Sequence, residues 1–209
     1  MNILSLECST AHASICLVKD GRVALTRSWI AERNHDAYLF PALRDALDCL
    51  GNAALDTIIV GSGPGSYGGV RVAIAAATGI AIVRKARIAT LCSWIPLAED
   101  SCSILSDAKR GGWTLRRPDG TISVLTAAEV QQLIAEGADI RSVESADTLL
   151  RAGIILPVCD LQPTAEALTR TWLSMSDTEQ QEALSHPPEP IYVRPPHITA
   201  PKRKPWETC

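Results

Sequence analysis

Paired histidines, clustered charge and paired cysteines are what this chain has least of. Its four histidines, His12, His35, His186 and His197, never lie three or four residues apart. That excludes a two-histidine metal site on one helical face. Lysine and arginine number 20 against 23 acids, a net charge of −3. Phosphate binding depends on clustered basic side chains, so the chain by itself is a poor nucleic-acid binder. Its seven cysteines form no Cys-x-x-Cys pair, and the odd count fits a reducing compartment better than a disulfide framework or zinc site. The first residues lack the basic start and long apolar core of a signal peptide, because Glu7 interrupts them. The longest apolar run, Val72 to Val83, is shorter than the ~20 residues of a membrane span. A cytoplasmic protein with no membrane partner is the expectation. No internal repeat is evident.

The most specific stretch present is Thr57 to Gly79, TIIVGSGPGSYGGVRVAIAAATG. A β-branched run, Thr57 to Val60, reads as a buried strand, and the alanine-rich run Val70 to Val83 reads as a helix. Between them, five of the nine residues from Gly61 to Gly69 are glycine, with Pro64 stiffening one point. Such a loop can offer backbone N–H groups to a phosphate or carboxylate, or simply allow strand, loop and helix to pack tightly. It is not a Walker loop, since it ends Gly68-Gly69-Val70-Arg71 rather than Gly-Lys-Ser/Thr. Gly63, Gly65 and Gly68 match a dinucleotide spacing, but the ribose-binding acid expected roughly 20 residues on is missing. The next acid is Glu99.

The N-terminus supplies a three-stranded start. Ile3, Leu4 and Leu6 precede a polar turn, Ala13 to Val18 form a second apolar run, and Val23 to Trp29 follow Gly21 at hairpin spacing. The first turn carries Glu7, Ser9 and Thr10, which either face a ligand or make an ordinary hairpin turn.

Taken in order, these segments resemble the TsaB (YeaZ) family of bacterial transfer RNA modification. The likeness rests on ILSLECST, on His35 within RNHDAYLFPAL, and on VGSGPGSYGGVR. It continues through Ser106-Asp107-Ala108-Lys109-Arg110-Gly111 and Tyr192-Val193-Arg194, so it spans nearly the whole chain. It implies an α/β, two-lobed fold of the actin, sugar kinase and heat-shock ATPase type (ribonuclease H-like), with the second lobe reduced. Two positions depart from the family pattern: Glu7 stands where aspartate is usual, and Gly68 where threonine is usual.

The resemblance implies a noncatalytic subunit. The catalytic relative, TsaD, carries a His-x-x-x-His pair after the apolar helix, whereas this chain reads Thr90-Leu91-Cys92-Ser93-Trp94-Ile95-Pro96-Leu97 there. A second glycine pair for adenosine is also missing between Asp139 and Pro163, where Gly153 stands alone. The implied role is to dock on a TsaD-type enzyme that transfers threonylcarbamoyl to the adenosine beside the tRNA anticodon. ATP and a divalent metal then belong to the partner, a TsaE-type ATPase is a further partner, tRNA is met only through the complex, and the chain alone is a homodimer. Two alternatives stay open. One is a free-standing ATPase or phosphotransferase of the same fold, with Glu7 and Asp107 at magnesium and the loop on phosphate. The other is a self-associating structural protein.

Two helices carry surplus apolar surface. In Val70 to Val83 apolar residues cover every face, and in His35 to Leu50 a stripe of Leu39, Leu43, Leu47 and Leu50 is widened by Phe40, Ala42 and Ala46. Pro41 must lie near that helix's start or kink it. A partner interface through Leu39, Leu43, Val72, Ala76, Ala77 and Ile80 is one reading, and an ordinary core is the other. Gly63, Gly65, Ser66, Gly68, Gly69 and Arg71 form the candidate nucleotide or interface loop, with Glu7, Ser9, Thr10 and Asp107 as a possible vestigial site. Residues 1–100 read as the first lobe, 101–185 as the smaller second lobe and 186–209 as a proline-rich extended tail. In the second lobe, strands are expected at Cys102 to Leu105, Gly112 to Arg116 and Thr121 to Val124, with Arg117-Pro118-Asp119-Gly120 as a turn. Thr126 and Glu129 form a capping box, and a further helix runs from Thr164 to about Met175 with Ala165, Leu168, Thr169 and Trp172 on one side.

Overall fold

The computed structural model describes residues 1–31, 35–98 and 102–193. Glu99, Arg194, His197 and the basic stretch Lys202 to Lys204 lie outside the described residues. The first sheet has five strands in the order β3-β2-β1-β4-β5: β1 (Ile3–Glu7), β2 (His12–Lys19), β3 (Arg22–Ile30), β4 (Thr57–Gly61) and β5 (Arg87–Leu91). β1, β2 and β3 are antiparallel neighbours, while β4 runs parallel to β1 and β5 parallel to β4. The β2–β3 hairpin turns at Asp20 and Gly21, both with positive φ, as a tight two-residue turn requires. The second sheet has order β8-β7-β6-β9, built from β6 (Ser103–Asp107), β7 (Gly112–Arg116), β8 (Ile122–Thr126) and β9 (Ile140–Ser142). Two mixed sheets with helices on them are the two-lobed α/β architecture that the resemblance implies. The second sheet is one strand shorter than the first.

Side-chain alternation decides what covers each face of the first sheet. Leu4, Leu6, Ile58 and Val60 point to one side, where α1 (His35–Leu50) and α2 (Tyr67–Arg84) close a core. Ile3 and Ile59 point to the other, where they meet Leu168 and Trp172 of α5 (Ala165–Ser174). Ser5 faces that way too, and its hydroxyl bonds Thr169 Oγ1 at 2.7 Å. α5 buries Ala165, Leu168, Thr169 and Trp172, the side expected from the sequence. α6 (Asp177–Ser185) follows on the same face, where Ala183 and Leu184 pack with this core.

This corrects the lobe boundary. The expectation placed 101–185 in the second lobe, but α5 and α6 return to the first sheet. The second lobe's own core joins Leu105, Trp113, Leu115, Val130, Ile140, Leu149 and Ile154, using α3 (Ala127–Ala135) and α4 (Ala146–Arg151). The physical reason is that the outer face of the first sheet presents Ile3, Val18, Ile59, Ala89 and Leu91 with no other helix to bury them. The capping box at Thr126 and Glu129 is present as expected. A second one at Ser176 and Glu179 opens α6, a helix for which the sequence reading made no assignment. β5 was also missed, although Arg87 is exposed and Ala89 and Leu91 are buried in strand alternation.

α2 starts three residues earlier than expected. Ser66 Oγ accepts the Gly69 N–H at 3.2 Å, so the two glycines at 68 and 69 sit in a capped first turn. By length and composition α2 could cross a membrane, but Val70, Ala73, Ile74, Ala77 and Ala81 are buried in the lobe. In α1, Pro41 lies inside the helix on its exposed side, where its missing N–H costs no buried hydrogen bond.

Trp172 is 1% exposed and joins α5 to the first sheet. Trp172→Ala should therefore cost about 3–5 kcal/mol in urea unfolding followed by circular dichroism, as large aromatic truncations do. Phe40→Ala, at a side chain 54% exposed, should change stability far less.

Candidate functional site

At the carboxyl ends of β1, β4 and β5, three segments are laced together: the turn after β1, the glycine loop after β4, and Cys92 to Trp94 after β5. Ser66 N–H donates to the Ser9 carbonyl at 2.6 Å, Ser62 N–H to the Leu91 carbonyl at 2.8 Å, and Gly63 N–H to Ser93 Oγ at 3.0 Å. A Cβ on Gly65 would collide with the Ser9 carbonyl, and one on Gly61 with the Glu7 carboxylate and Ser93 Oγ. These two glycines are needed for close approach of protein to protein. Of the two readings of the loop, this geometry supports tight packing, because three of its N–H groups point inward at Leu91, Ser93 and Ser9 rather than into an open cradle. Gly69 is buried, while a Cβ on Gly68 would meet nothing, so the space that threonine would need is open there. Arg71 is exposed, donates to Tyr67 Oη at 2.6 Å, and lies 4.9 Å from that ring's centre.

Glu7 sits at the centre of this junction and is fully buried. Its Oε1 accepts the Ser9 N–H at 2.7 Å, while Oε2, enclosed beside Gly61 and Ser93, has no hydrogen-bond partner. Burial pushes its carboxyl above the ordinary value, and the bond from the Ser9 N–H only partly offsets this. A proton on Oε2 would give the orphaned oxygen a bond to Ser93. Ser9 Oγ is a second buried oxygen without a partner here. The Cys8 thiol beside it is pushed upward by burial and by the charge of Glu7. This carboxyl is ill suited to magnesium, which keeps several waters around it and needs an open side to the ligand.

The other candidate residues are distributed differently. The Thr10 hydroxyl lies between the His12 carbonyl at 3.0 Å and Gln162 Oε1 at 3.1 Å, at the rim of a shallow groove of about 330 Å³ beside Trp29. Asp107 ends β6 in the second sheet. Its Oδ1 accepts the Lys109 N–H at 2.6 Å, its Oδ2 pairs with Lys109 Nζ at 2.9 Å, and Glu144 accepts its backbone N–H. The Lys109 bonds are those of a hairpin turn, the Glu144 bond ties β6 to the segment after β9, and none of them joins Asp107 to the Glu7 junction. Among the described residues, no three His, Cys, Asp or Glu side chains come together as a metal site would need. Sequence reasoning missed Ser93, whose hydroxyl accepts the Gly63 N–H next to the Glu7 carboxylate. A serine outside any motif gave no signal.

The interface residues split. Leu39, Leu43 and Ala77 are buried in the first lobe's core, so they cannot form an outer contact surface, a correction to the expectation. Val72, Ala76 and Ile80 are half-buried against that core. Along the last three turns of α2 the residues that face outward are Ala75, Gly79, Ile82 and Val83, while Tyr38 and Phe40 are exposed in the first turns of α1. An apolar run on every face of α2 hid which side would meet the sheet.

Replacing Glu7 by glutamine keeps the shape, removes the titration and supplies a donor toward Ser93. Because the folded carboxyl titrates above the ordinary 4.5, its contribution is fully present below that value and is lost as pH rises through the folded value. Glu7→Gln should thus be more stable than the parent at pH 8 by on the order of 1–3 kcal/mol, the cost of an unsatisfied buried group. The advantage should vanish near pH 4.5, as urea unfolding across this range would measure.

The family model described as TsaD, tRNA N6-adenosine threonylcarbamoyltransferase, matches residues 29–110. The tRNA threonylcarbamoyladenosine biosynthesis protein TsaB of Escherichia coli is 29% identical over 133 residues, covering 63% of this chain and 51% of that protein. Its Bacillus subtilis counterpart is 30% identical over 119 residues, covering 53% and 52%. The chain thus spans about half the length of the curated relatives it matches. A crystal structure from Pseudomonas aeruginosa, described as an uncharacterized protein with similarity to peptidase YEAZ, aligns with TM-score 0.68 at 25% identity. That alignment covers 92% of this chain and 99% of that one. YeaZ from the same organism aligns with TM-score 0.64 at 24% identity and shows the same fold. With the sheet order, the glycine loop and these likenesses in agreement, the chain is similar in sequence and in fold to the TsaB (YeaZ) proteins.

Proposed function

We propose that the chain is a noncatalytic subunit that docks on a TsaD-type enzyme and enables threonylcarbamoyl transfer to the adenosine next to the tRNA anticodon. The observation that carries this reading is the outward face of α2. Ile82 is 74% exposed and Val83 79%, beside a flat strip of Ala75 and Gly79. A Cβ on Gly79 would meet nothing, so another helix backbone can approach closely there. Apolar side chains this exposed on one helix face mark a surface that gains by being covered. The names of the curated relatives supply the pathway.

The subunit acts by differential binding. Covering this face favours whichever arrangement of the partner fits it, in proportion to the difference in affinity between the partner's two states. ATP and a divalent metal are the partner's ligands, a reading supported by the buried Glu7 carboxyl and the inward-bonded loop. The net charge of −3 leaves tRNA to other subunits. Without its partner the chain covers the same face with a second copy, and a TsaE-type ATPase joins the assembled pair.

Light scattering after size exclusion, with the chain alone and mixed with the TsaD-type protein of the same genome, tests this. A homodimer replaced by a stoichiometric heterodimer is the expected result. Ala75→Arg and Gly79→Arg, both on exposed positions, should weaken the complex at least ~100-fold, as a buried unpaired charge at an interface does. Thermal unfolding of the isolated variants should change little. Failure of the two proteins to associate would overturn the proposal.

A further inference from the structure

After α6 the chain leaves one face of the first sheet and crosses its carboxyl edge to reach the other. Ile191 N–H donates to the Ser62 carbonyl at 2.8 Å, in the glycine loop. One residue on, the Tyr192 ring packs at 42° against the Tyr67 ring with centroids 5.8 Å apart, at the start of α2. Tyr67 is held from another side by Arg71 through its hydroxyl and its ring. Pro188, Pro190, Ile191 and Val193 are half-buried, whereas Glu189 and Tyr192 are exposed. The segment therefore lies down on its apolar side. It contributes to neither sheet's core, yet it touches the loop and the first turn of α2 together.

We propose that residues 188–193 act as a clamp that positions the glycine loop and the first turn of α2, and through them the end of the docking face. The second half of this inference rests on the docking reading given above. Ser62 is bonded on one side to Leu91 and on the other to Ile191, so the loop is pinned between β5 and the clamp. Tyr67 sits one residue after the cap Ser66, so fixing its ring fixes the rotation of the helix end. With prolines at 187, 188 and 190, the segment is restricted before it docks, which lowers the entropy lost on closing.

The test uses the full chain with Tyr192→Ala, Ile191→Pro, which removes the donated N–H, and Glu189→Ala as the control. Amide exchange of residues 62–70 should quicken about fivefold in the first two variants, as loss of one hydrogen bond or aromatic pair implies, and stay unchanged in the control. Exchange within β1 and β4 should not move, which separates loosening of the loop from unfolding. Unchanged exchange at 62–70 in both variants overturns the clamp. Against the TsaD-type protein, Tyr192→Ala should raise the Kd about fivefold. A faster-exchanging loop with an unaltered Kd overturns the link to docking. If the parent chain forms no complex, the docking reading fails and the exchange result alone decides on the clamp.

Discussion

The structure depends on a buried carboxyl group that touches glycine where any other residue would collide with it. Glu7 ends the central strand, bonds the turn that follows it, and fills the space a Cβ on Gly61 would need. Ser93 closes the same pocket from the third strand and holds the loop through Gly63. Three strand ends thereby meet around one side chain. The loop that sets the start of α2 is anchored to this junction. A buried acid with an orphaned oxygen costs stability, so the arrangement is tolerated for what it positions.

What it positions is a helix with two different sides. The inner side of α2 packs small residues on Leu4, Leu6, Ile58 and Val60, which brings the helix close to the sheet. The outer side carries Ala75, Gly79, Ile82 and Val83 into solvent. Closeness inside and flatness outside come from the same alanine- and glycine-rich composition. Behind the sheet, α5 and α6 return from the far end of the chain, and the segment after them reaches Ser62 and Tyr67. The first turn of the chain and the last described segment thus converge on the glycine loop, one through Ser9 and the other through Ile191.

Much of this was legible in the residues. Apolar runs at hairpin spacing marked β2 and β3, the Thr126 and Glu129 pair marked the start of α3, and the stripe on α5 named its buried side. The glycine loop was recognisable, but its partners were not, because Ser93 and Ser9 reach it from segments distant in sequence. The lobe boundary was hidden for a related reason. Nothing local in Thr164 to Ser185 says which sheet those helices will cover, since that depends on which apolar face is left bare. α2 defeated periodicity outright, because a segment apolar on all sides has no preferred face, and of the two readings weighed for Leu39, Leu43 and Ala77, outer interface or ordinary core, it is the core that claims them.

The central claim is that the glycine loop is packing machinery closed over a buried acid, in a chain that works by contact with a partner. Titration calorimetry of the purified chain with ATP and magnesium tests it most directly. The account expects no saturable heat from the parent chain, with Glu7→Gln behaving identically. Saturable binding that Glu7→Gln abolishes would contradict it, and would make the loop a phosphate cradle after all.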